Sequence, residues 1–388
     1  MTPAARVSAA VEVLDNWLAG AALEPALTSW ARASRYAGSK DRAAVRDLVY
    51  QAVRCKLSYA HLGGSVSGRG LMLGHLRASG VPVETIFTGD RFAPGPPAGD
   101  EVLEPALDDA PEHVRLDWPA WAMDALAAEP RDRSAILAAM QTRAPVFLRV
   151  NLLKASVNDA IEALAAEGIE VEAHPLSETA LRVETNPRRI GQSNAYQVGL
   201  VELQDAASQA VVDMAEVGRD VRVLDYCAGG GGKALALAAK SGAPVDAHDI
   251  DPGRMRDLPL RAARAGAEIR VFSDGPKAED RYDVVFCDAP CSGSGSWRRD
   301  PVGKWQLTPD RLAELTETQV SVLNNARRHL APGGTLFYAT CSLFACENSE
   351  VVARFLSDAG DMSLVSERQF TPLDGGDGFY GARLVLNR

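Results

Sequence analysis

The spacing of hydrophobic residues predicts helices in the first part of the chain. Between residues 3 and 60, apolar side chains recur about every 3.6 positions, as on one face of a helix. Residues 63–100 are rich in glycine and proline, which predicts a loop or linker. Helical character returns over residues 118–140. We therefore predict that residues 1–135 form a helical domain that includes a Gly/Pro-rich linker.

The pattern changes after Pro145, where short β-type segments surround one amphipathic helix. This helix is predicted over residues 156–167, with Ser156 as its N-cap. A small α+β unit over residues 136–205 follows from this pattern. Its strands are predicted at residues 146–150, 169–173, 180–184 and 200–203.

From Asp220 onward, predicted strands and helices alternate. Such alternation is typical of a doubly wound α/β sheet, which binds its ligand at the carboxyl ends of the strands. We assign it to a third domain over residues 206–388. The strands are predicted at 221–225, 244–249, 268–272, 282–288 and 335–339, the helices at 233–240, 253–265 and 309–330, and two edge strands at 363–367 and 382–386.

Composition narrows the class of protein only slightly. The net charge of −10 argues weakly against a nucleic-acid partner, but residues 1–60 carry eight Lys/Arg and five Asp/Glu, a local balance of +3. No apolar run approaches the roughly 18 residues of a membrane span, and we expect a cytoplasmic monomer. The six cysteines lack the spacing of a zinc site, so we expect no metal.

Four consecutive glycines lie between the first strand of the α/β part and its helix, in the segment from Cys227 to Lys233. Glycines let the backbone turn tightly and approach a ligand, and the helix N-terminus behind them offers free N–H groups. A P-loop would need glycine at position 227 and Ser or Thr at position 234. The chain has Cys227 and Ala234, which excludes that site.

Two other ligands fit this loop. A dinucleotide site needs Gly-x-Gly-x-x-Gly/Ala and an acidic residue about 20 positions later, which Gly229, Gly231, Ala234 and Asp249 supply. S-adenosylmethionine would use the same features, with Asp249 on the ribose hydroxyls and the loop around the methionine part. The loop alone leaves both ligands open.

Two cysteines follow neighbouring strands of the predicted sheet. Asp288 and Cys291 end one strand, and Cys341 follows the next. Parallel strands end at one edge of the sheet, so we expect the three side chains to lie together. A single cysteine is usually a packing residue, but two beside an aspartate and a glycine loop favour nucleophilic catalysis. The residues alone leave open which cysteine is the nucleophile.

Several short motifs are those of one known family. The matching segments are 149–151, 204–205 with 208–209, 225–233, 249–251, 274–275, 288–293, 298–301, 304–305, 339–342 with 347–348, and 376–379. On these motifs the chain resembles the Sun/NOL1/NOP2 family of RNA cytosine-C5 methyltransferases, and within it the RsmB-type 16S ribosomal RNA enzymes. Residues 1–60 resemble, more loosely, the NusB-like RNA-binding domain of those enzymes.

The resemblance implies a fold, a cofactor and a substrate. The fold would be a Rossmann-like class I methyltransferase domain, preceded by an RRM-like α+β unit and a NusB-like helical domain. The cofactor would be S-adenosylmethionine, and the partner RNA, with ribosomal RNA favoured over transfer RNA. The implied cofactor residues are Cys227, Ala228, Gly229, Gly230, Gly231, Gly232, Lys233, Asp249, Asp274 and Asp288.

The resemblance also assigns the catalytic roles. C5 of cytosine is a poor nucleophile until a thiolate adds to C6. Cys341 would be that nucleophile, Asp288 would hydrogen-bond or protonate the N3 side, and Cys291 would assist release of the adduct. Lys233 is a candidate to activate Cys341. The family usually has Ala-Pro at positions 229–230, and its replacement by Gly-Gly should loosen the loop of the free protein.

Five basic side chains are candidates to hold RNA phosphates: Arg149, Lys154, Arg298, Arg299 and Lys304. Two other classes of protein stay open at this point. One is a nicotinamide-dependent oxidoreductase, which the glycine loop allows. The other is a non-catalytic RNA-binding assembly factor that keeps the fold.

Overall fold

The structure is a computed structural model that describes residues 1–103, 105–126 and 130–387. Its internal contacts define two compact units. The first consists of Met1–Asp124, Ala128–Arg143 and Trp297–Gln306, and the second of Ala125–Ala127, Ala144–Ser296 and Leu307–Arg388.

The first unit is helical, as the 3.6-residue period predicts. Its first helix buries Val13 and Leu14 completely against the neighbouring helices. The helices of this unit are Pro3–Leu18, Leu23–Ala33, Ser39–Arg54, Lys56–Gly63, Gly68–Ala78, Glu112–Arg115, Pro130–Met140 and Pro301–Gln306, with short 3-10 turns at Val83–Thr85, Gly99–Val102, Leu107–Asp109 and Ala120–Ala122.

The predicted loop over 63–100 is wrong where the structure has the helix Gly68–Ala78. Glycine serves there for close packing and does not end the helix. A Cβ added at Gly74 would lie 2.0 Å from the backbone oxygen of Tyr59. Burial of Leu71 and neighbouring apolar residues then outweighs the low helix propensity of glycine. Of the predicted helical stretch 118–140, residues 127–129 lie outside the described residues.

A ten-residue segment from late in the sequence, Trp297–Gln306, packs into the helical unit. The Lys304 ammonium donates to the backbone oxygen of Arg54 at 2.8 Å, and the indole N–H of Trp305 donates to that of Val53 at 2.7 Å. The Arg54 guanidinium in turn donates to the backbone oxygen of Arg298 at 2.8 Å. This attachment joins residues about 250 positions apart and has no signal in the local sequence pattern.

The second unit begins with a small antiparallel sheet, as predicted. Its strands are β1 Phe147–Val150, β2 Val171–Ala173, β3 Ala180–Val183 and β4 Val201–Leu203, in the order β2-β3-β1-β4. The helix Val157–Ala166 crosses between β1 and β2, and the Ser156 hydroxyl caps it by accepting from the N–H of Asp159. A short helix, Asn194–Gln197, precedes β4.

A seven-stranded sheet forms the larger part of the second unit. Its strand order is β10-β11-β9-β8-β5-β6-β7, and β11 pairs antiparallel with both of its neighbours. The predicted edge position of β11 is wrong, because this strand lies between β9 and β10. The strands are β5 Val223–Asp225, β6 Val245–His248, β7 Ile269–Phe272, β8 Tyr282–Asp288, β9 Leu330–Thr340, β10 Met362–Phe370 and β11 Phe379–Leu386.

Helices cover both faces of this sheet. Alternate residues of β8 face opposite sides: Phe286 joins one apolar cluster, whereas Val285 and Cys287 join the other. A strand buried on both faces is expected to be a nearly continuous apolar run, as residues 284–287 are. The helices are Ala206–Asp213, Gly232–Ser241 and Leu258–Ala265 on one side, and Pro309–Arg327 and Ser349–Asp358 on the other.

No helix in the described part of the chain combines the length and the apolar character that crossing a bilayer requires.

The loop after β8 is fitted against the loop before β11 at two glycines. The N–H of Gly378 donates to the backbone oxygen of Gly295 at 2.9 Å, and a Cβ on Gly295 would lie 2.0 Å from the backbone oxygen of Gly378. We expect Gly295→Ala to lower the free energy of unfolding by about 3 kcal/mol, because the backbones must separate. Urea unfolding measures this change.

Gly191→Ala is the matched control, since a Cβ there meets no atom within 4 Å. Its free energy of unfolding should stay within about 0.5 kcal/mol of the wild-type value. Equal stability of Gly295→Ala and Gly191→Ala would contradict the close approach of the two loops.

Candidate active site

The strand register brings the predicted site residues to one edge of the large sheet. In the pairing of β5 with β8, Asp225 lies opposite Phe286, and in that of β8 with β9, Asp288 lies opposite Ala339. The loops that carry the glycines, Cys291 and Cys341 therefore leave the sheet at the same level.

The glycine loop has the backbone shape that only glycine adopts without strain. Gly229 and Gly231 have φ values of +51° and +81°. A Cβ on Gly231 would also lie 2.1 Å from a methyl carbon of Leu258. Within this loop, the N–H of Ala228 donates to the backbone oxygen of His248 at 2.8 Å, and Cys227 is half-buried. The loop is thus fixed to β6 and leads into the helix that contains Gly232 and Lys233.

Asp249 connects the glycine loop to the end of β6. It is 1% exposed, and its carboxylate accepts from the N–H of Gly229 at 2.8 Å and from the guanidinium of Arg254 at 3.2 Å. A ligand hydroxyl would therefore meet a carboxylate that is already oriented. Asp274 lies in the turn after β7, where it is exposed and two strands away from β5.

Asp225 is a residue that the sequence analysis did not assign to the site. It ends β5, is fully buried, and neither of its carboxylate oxygens has a hydrogen-bond partner among the described residues. Burial raises its pKa to about 7, and the nearby Asp288 carboxylate acts in the same direction. Its signal in the sequence was an acidic residue at the end of an apolar strand.

An ion pair lies between the glycine loop and the cysteines. The Lys233 ammonium donates to the Asp288 carboxylate at 2.6 Å and lies 5.2 Å from the centre of the Phe379 ring. Burial lowers the pKa of Lys233. The charge of the Asp288 carboxylate and its hydrogen bond together outweigh burial, and Cys341 adds a further increase, so the pKa of Lys233 is raised overall. Lys233 therefore stays an ammonium ion next to the thiol of Cys341.

The two cysteines are in direct contact. Their sulfurs lie 3.4 Å apart, and both side chains are half-buried. The hydrogen bond to Cys341, followed by desolvation, raises the pKa of Cys291 well above its usual value. A hydrogen bond therefore joins the two sulfurs, and loss of the Cys291 proton is unfavourable.

A buried carboxylate joins the two cysteine loops. Glu347 is fully buried and accepts from the N–H of Ser292 at 2.8 Å, from the Gln319 amide at 3.0 Å, and from the hydroxyls of Ser292 and Ser342. In the sequence, Glu347 stood out only as part of a motif. Gln319 was not predicted, because it is a buried position within the long helix Pro309–Arg327 that no local signal distinguishes.

Three of the five predicted phosphate contacts are wrong, because these side chains are buried. Arg149 donates to the backbone oxygen of Gly232 at 2.8 Å, and Arg298 and Lys304 are 4% and 2% exposed. The sequence could not distinguish these three side chains from surface charges. Lys154 is exposed, and its ammonium donates to the backbone oxygen of Arg264 at 2.6 Å. Arg299 is exposed.

This sheet and site define a class of protein. Six parallel strands with only β11 antiparallel, and a glycine loop after the interior strand β5, are the arrangement of a Rossmann-like class I methyltransferase. The unpartnered Asp225 carboxylate fits a cationic cofactor such as S-adenosylmethionine. No cluster of His, Cys, Asp or Glu within the described residues has the arrangement of a metal site.

Comparison with known proteins identifies the family. Residues 212–384 match the family model for the 16S rRNA methyltransferase RsmB/F, and residues 118–188 match the ferredoxin-like domain of RsmF/B-like methyltransferases. The ribosomal RNA small subunit methyltransferase B of Erwinia tasmaniensis is 33% identical over 302 residues, which cover 74% of this chain and 70% of that protein. The chain belongs to the RsmB/F family of S-adenosylmethionine-dependent RNA methyltransferases.

Solved structures support the fold. The crystal structure of PH0851 superposes with a TM-score of 0.73 at 20% identity and covers 99% of each chain. A methyltransferase homologue from Pyrococcus horikoshii has a TM-score of 0.61 at 25% identity over 71% of this chain and 97% of its own. The family model and the curated relative confirm the resemblance to RsmB-type enzymes and the cofactor, so the oxidoreductase alternative is wrong. The solved structures confirm the Rossmann-like fold.

The buried carboxyl of Asp225 predicts a pH dependence of stability. In the unfolded chain it ionises near pH 4, but in the folded protein it holds its proton up to about pH 7. Stability should therefore fall as the pH rises through this window. Between pH 5 and 8, the wild-type free energy of unfolding should fall by about 3 kcal/mol more than that of Asp225→Asn.

Urea unfolding of both proteins at the two pH values measures this difference, since all other groups contribute equally. Parallel pH profiles for the two proteins would show that Asp225 is ionised in the folded state.

Proposed function

We propose that this protein transfers the methyl group of S-adenosylmethionine to C5 of a cytosine in 16S ribosomal RNA, through a covalent bond between Cys341 and C6. The observation that carries the proposal is the contact of two sulfurs at 3.4 Å at the ligand edge of the sheet, next to the Lys233–Asp288 ion pair. The names of the curated relatives favour 16S rRNA over transfer RNA.

The cofactor would lie along the glycine loop. Residues 227–233 would surround its methionine part, Asp249 would accept from the ribose hydroxyls, and Asp274 would lie on the adenine side. The bound cofactor supplies an electrophilic methyl group on a positively charged sulfur. That charge would compensate the buried Asp225 carboxylate, which has no cation of its own.

The first chemical step belongs to Cys341. Its thiolate is attracted by the Lys233 ammonium and adds to C6, while the electron pair of the C5–C6 double bond moves toward the N3 side of the ring. The Lys233–Asp288 pair supplies the proton that N3 takes up. C5 is then electron-rich and would form a bond to the methyl group of the cofactor, while the bond from that methyl group to the cofactor sulfur would break and leave its electron pair on the sulfur.

The second step releases the RNA. Cys291, as a thiolate, takes the proton from C5, and the electron pair of that C–H bond restores the double bond between C5 and C6. The bond from C6 to Cys341 breaks, its electron pair returns to the sulfur, and the proton on N3 goes back to the Lys233–Asp288 pair. The 3.4 Å sulfur contact places this base beside the nucleophile.

The organisation of the chain completes the proposal. We propose that the chain has three domains: a NusB-like helical domain over residues 1–135, a small α+β unit over residues 136–205 and the methyltransferase domain over residues 206–388. Because one chain supplies every residue of the site, we propose a monomer. Its site of action would be the cytoplasm, where ribosomal RNA is found.

Bisulfite sequencing of RNA from a deletion strain tests the substrate. We expect one cytosine of 16S rRNA to lose its C5 methyl group, and a plasmid copy of the gene to restore it. If a cytosine of transfer RNA loses its methyl group instead, the substrate is transfer RNA and not 16S rRNA. Unchanged methylation of all RNA would favour a non-catalytic assembly factor.

Variants of the two cysteines test their roles. Cys291→Ala should accumulate a covalent protein–RNA complex on denaturing gels, because the adduct forms but does not release. Cys341→Ala should form no complex, and both should lose turnover by at least about 100-fold. Cys346→Ala is the control, since this half-buried cysteine lies outside the sulfur pair. The opposite pattern for Cys291 and Cys341 would reverse the two roles.

A further inference from the structure

We propose that Glu347 is a positioning residue that holds the loop of Cys291 against the loop of Cys341 and delays the action of Cys291 as a base until Cys341 has bonded to the RNA. This inference rests on the proposed function. It gives a role to a buried charge that the two chemical steps do not otherwise use.

The surroundings of Glu347 favour a charged carboxylate. Four donors reach it: the N–H and hydroxyl of Ser292, the hydroxyl of Ser342 and the amide of Gln319. No Lys, Arg or His in the described part of the chain forms an ion pair with it. Hydrogen bonds to the ionised form stabilise that form, so a full negative charge is buried here without a counter-ion.

The same four bonds fix the relative position of the two cysteines. Ser292 directly follows Cys291, and Ser342 directly follows Cys341, so one carboxylate holds the backbone next to each sulfur. Gln319 adds a bond to the backbone oxygen of Pro290 at 2.9 Å, immediately before Cys291. Loss of this clamp would let the loops separate.

The charges around Cys291 are mainly negative or neutral. The Cys341 sulfur, the Glu347 carboxylate and the Tyr338 phenol interact with it, and the Lys233 ammonium of the same site is paired with Asp288. The hydrogen bond to Cys341 and partial burial raise the pKa of Cys291 most, and Glu347 adds to this. A thiolate on Cys291 is therefore unfavourable as long as Cys341 is also charged.

Formation of the adduct changes this balance. Once the Cys341 sulfur is bonded to C6 it carries no charge, so the repulsion that opposed ionisation of Cys291 is removed. Cys291 then loses its proton to water and becomes the base for the C5 proton. The neighbouring Glu347 carboxylate raises the pKa of Cys291, which makes the Cys291 thiolate a stronger base than it would be beside a neutral group.

The test compares Glu347→Gln with Glu350→Gln, the same substitution at an exposed position three residues later. Glutamine keeps one acceptor oxygen, and the Ser292 and Ser342 hydroxyls can rotate to accept from its NH₂ group. The probe is 16S rRNA transcribed in vitro with tritium at C5 of cytosine. Single-turnover reactions from pH 6 to 9 with saturating S-adenosylmethionine measure adduct formation and tritium release separately.

In Glu347→Gln the midpoint of the pH profile for tritium release should move down by about one unit, because the thiolate forms more easily. The rate at high pH should fall several-fold because the base is weaker. Adduct formation should stay within about threefold of the wild-type rate. Glu350→Gln should match the wild type, and Glu347→Asp, which keeps the charge, should restore the wild-type midpoint.

An unchanged midpoint in Glu347→Gln, or equal losses in adduct formation and release, would overturn the proposal and leave a purely structural clamp. If Glu347→Gln does not fold, Ser342→Ala tests the same charge by removing one donor, and its midpoint must move upward; an unchanged or lower midpoint overturns the proposal. Absence of adduct and tritium release in the wild type would instead refute the proposed function itself.

Discussion

The buried carboxylate of Glu347 is the interaction on which the site depends. It lies between two loops that leave neighbouring parallel strands, and it accepts hydrogen bonds from the residue that follows each cysteine. Parallel pairing of β8 with β9 brings the loops to one level, but pairing alone does not place two sulfurs 3.4 Å apart. The hydrogen bonds to the Glu347 carboxylate fix the distance between the two sulfurs. They do so although this carboxylate is buried without a cation.

The remaining carboxylates of the site differ in whether a cation accompanies them. Asp225 is buried without a partner, whereas Asp288 has Lys233 and Asp249 has Arg254. A cationic cofactor would complete this set. The free protein therefore stores unfavourable electrostatic energy at Asp225, which binding would release. Stability and cofactor affinity are linked in this way, and a change that stabilises the free protein at this position is expected to weaken binding.

Much of the fold follows from local patterns, and the exceptions share one cause. The apolar run that ends at Asp288 and the alternation of strands with helices predict β8 and the edge at which the parallel strands end, which is why Asp288, Cys291 and Cys341 were predicted to meet. The helix Gly68–Ala78, the attachment of Trp297–Gln306 to the helical unit and the donor Gln319 were not predicted. Each depends on contacts between residues far apart in the sequence, which neither period nor propensity contains. The same limit explains why buried arginines and lysines resembled RNA contacts.

Identifying the residue to which the RNA becomes attached is the most direct test of the proposed mechanism. In a 16S rRNA transcript that contains 5-fluorocytidine, C5 has no proton to lose, so the methylated adduct cannot release. Protease digestion and tandem mass spectrometry of the trapped protein should find the nucleotide on Cys341, with Cys291 as a free thiol. A nucleotide on Cys291, or none on either cysteine, would contradict the account.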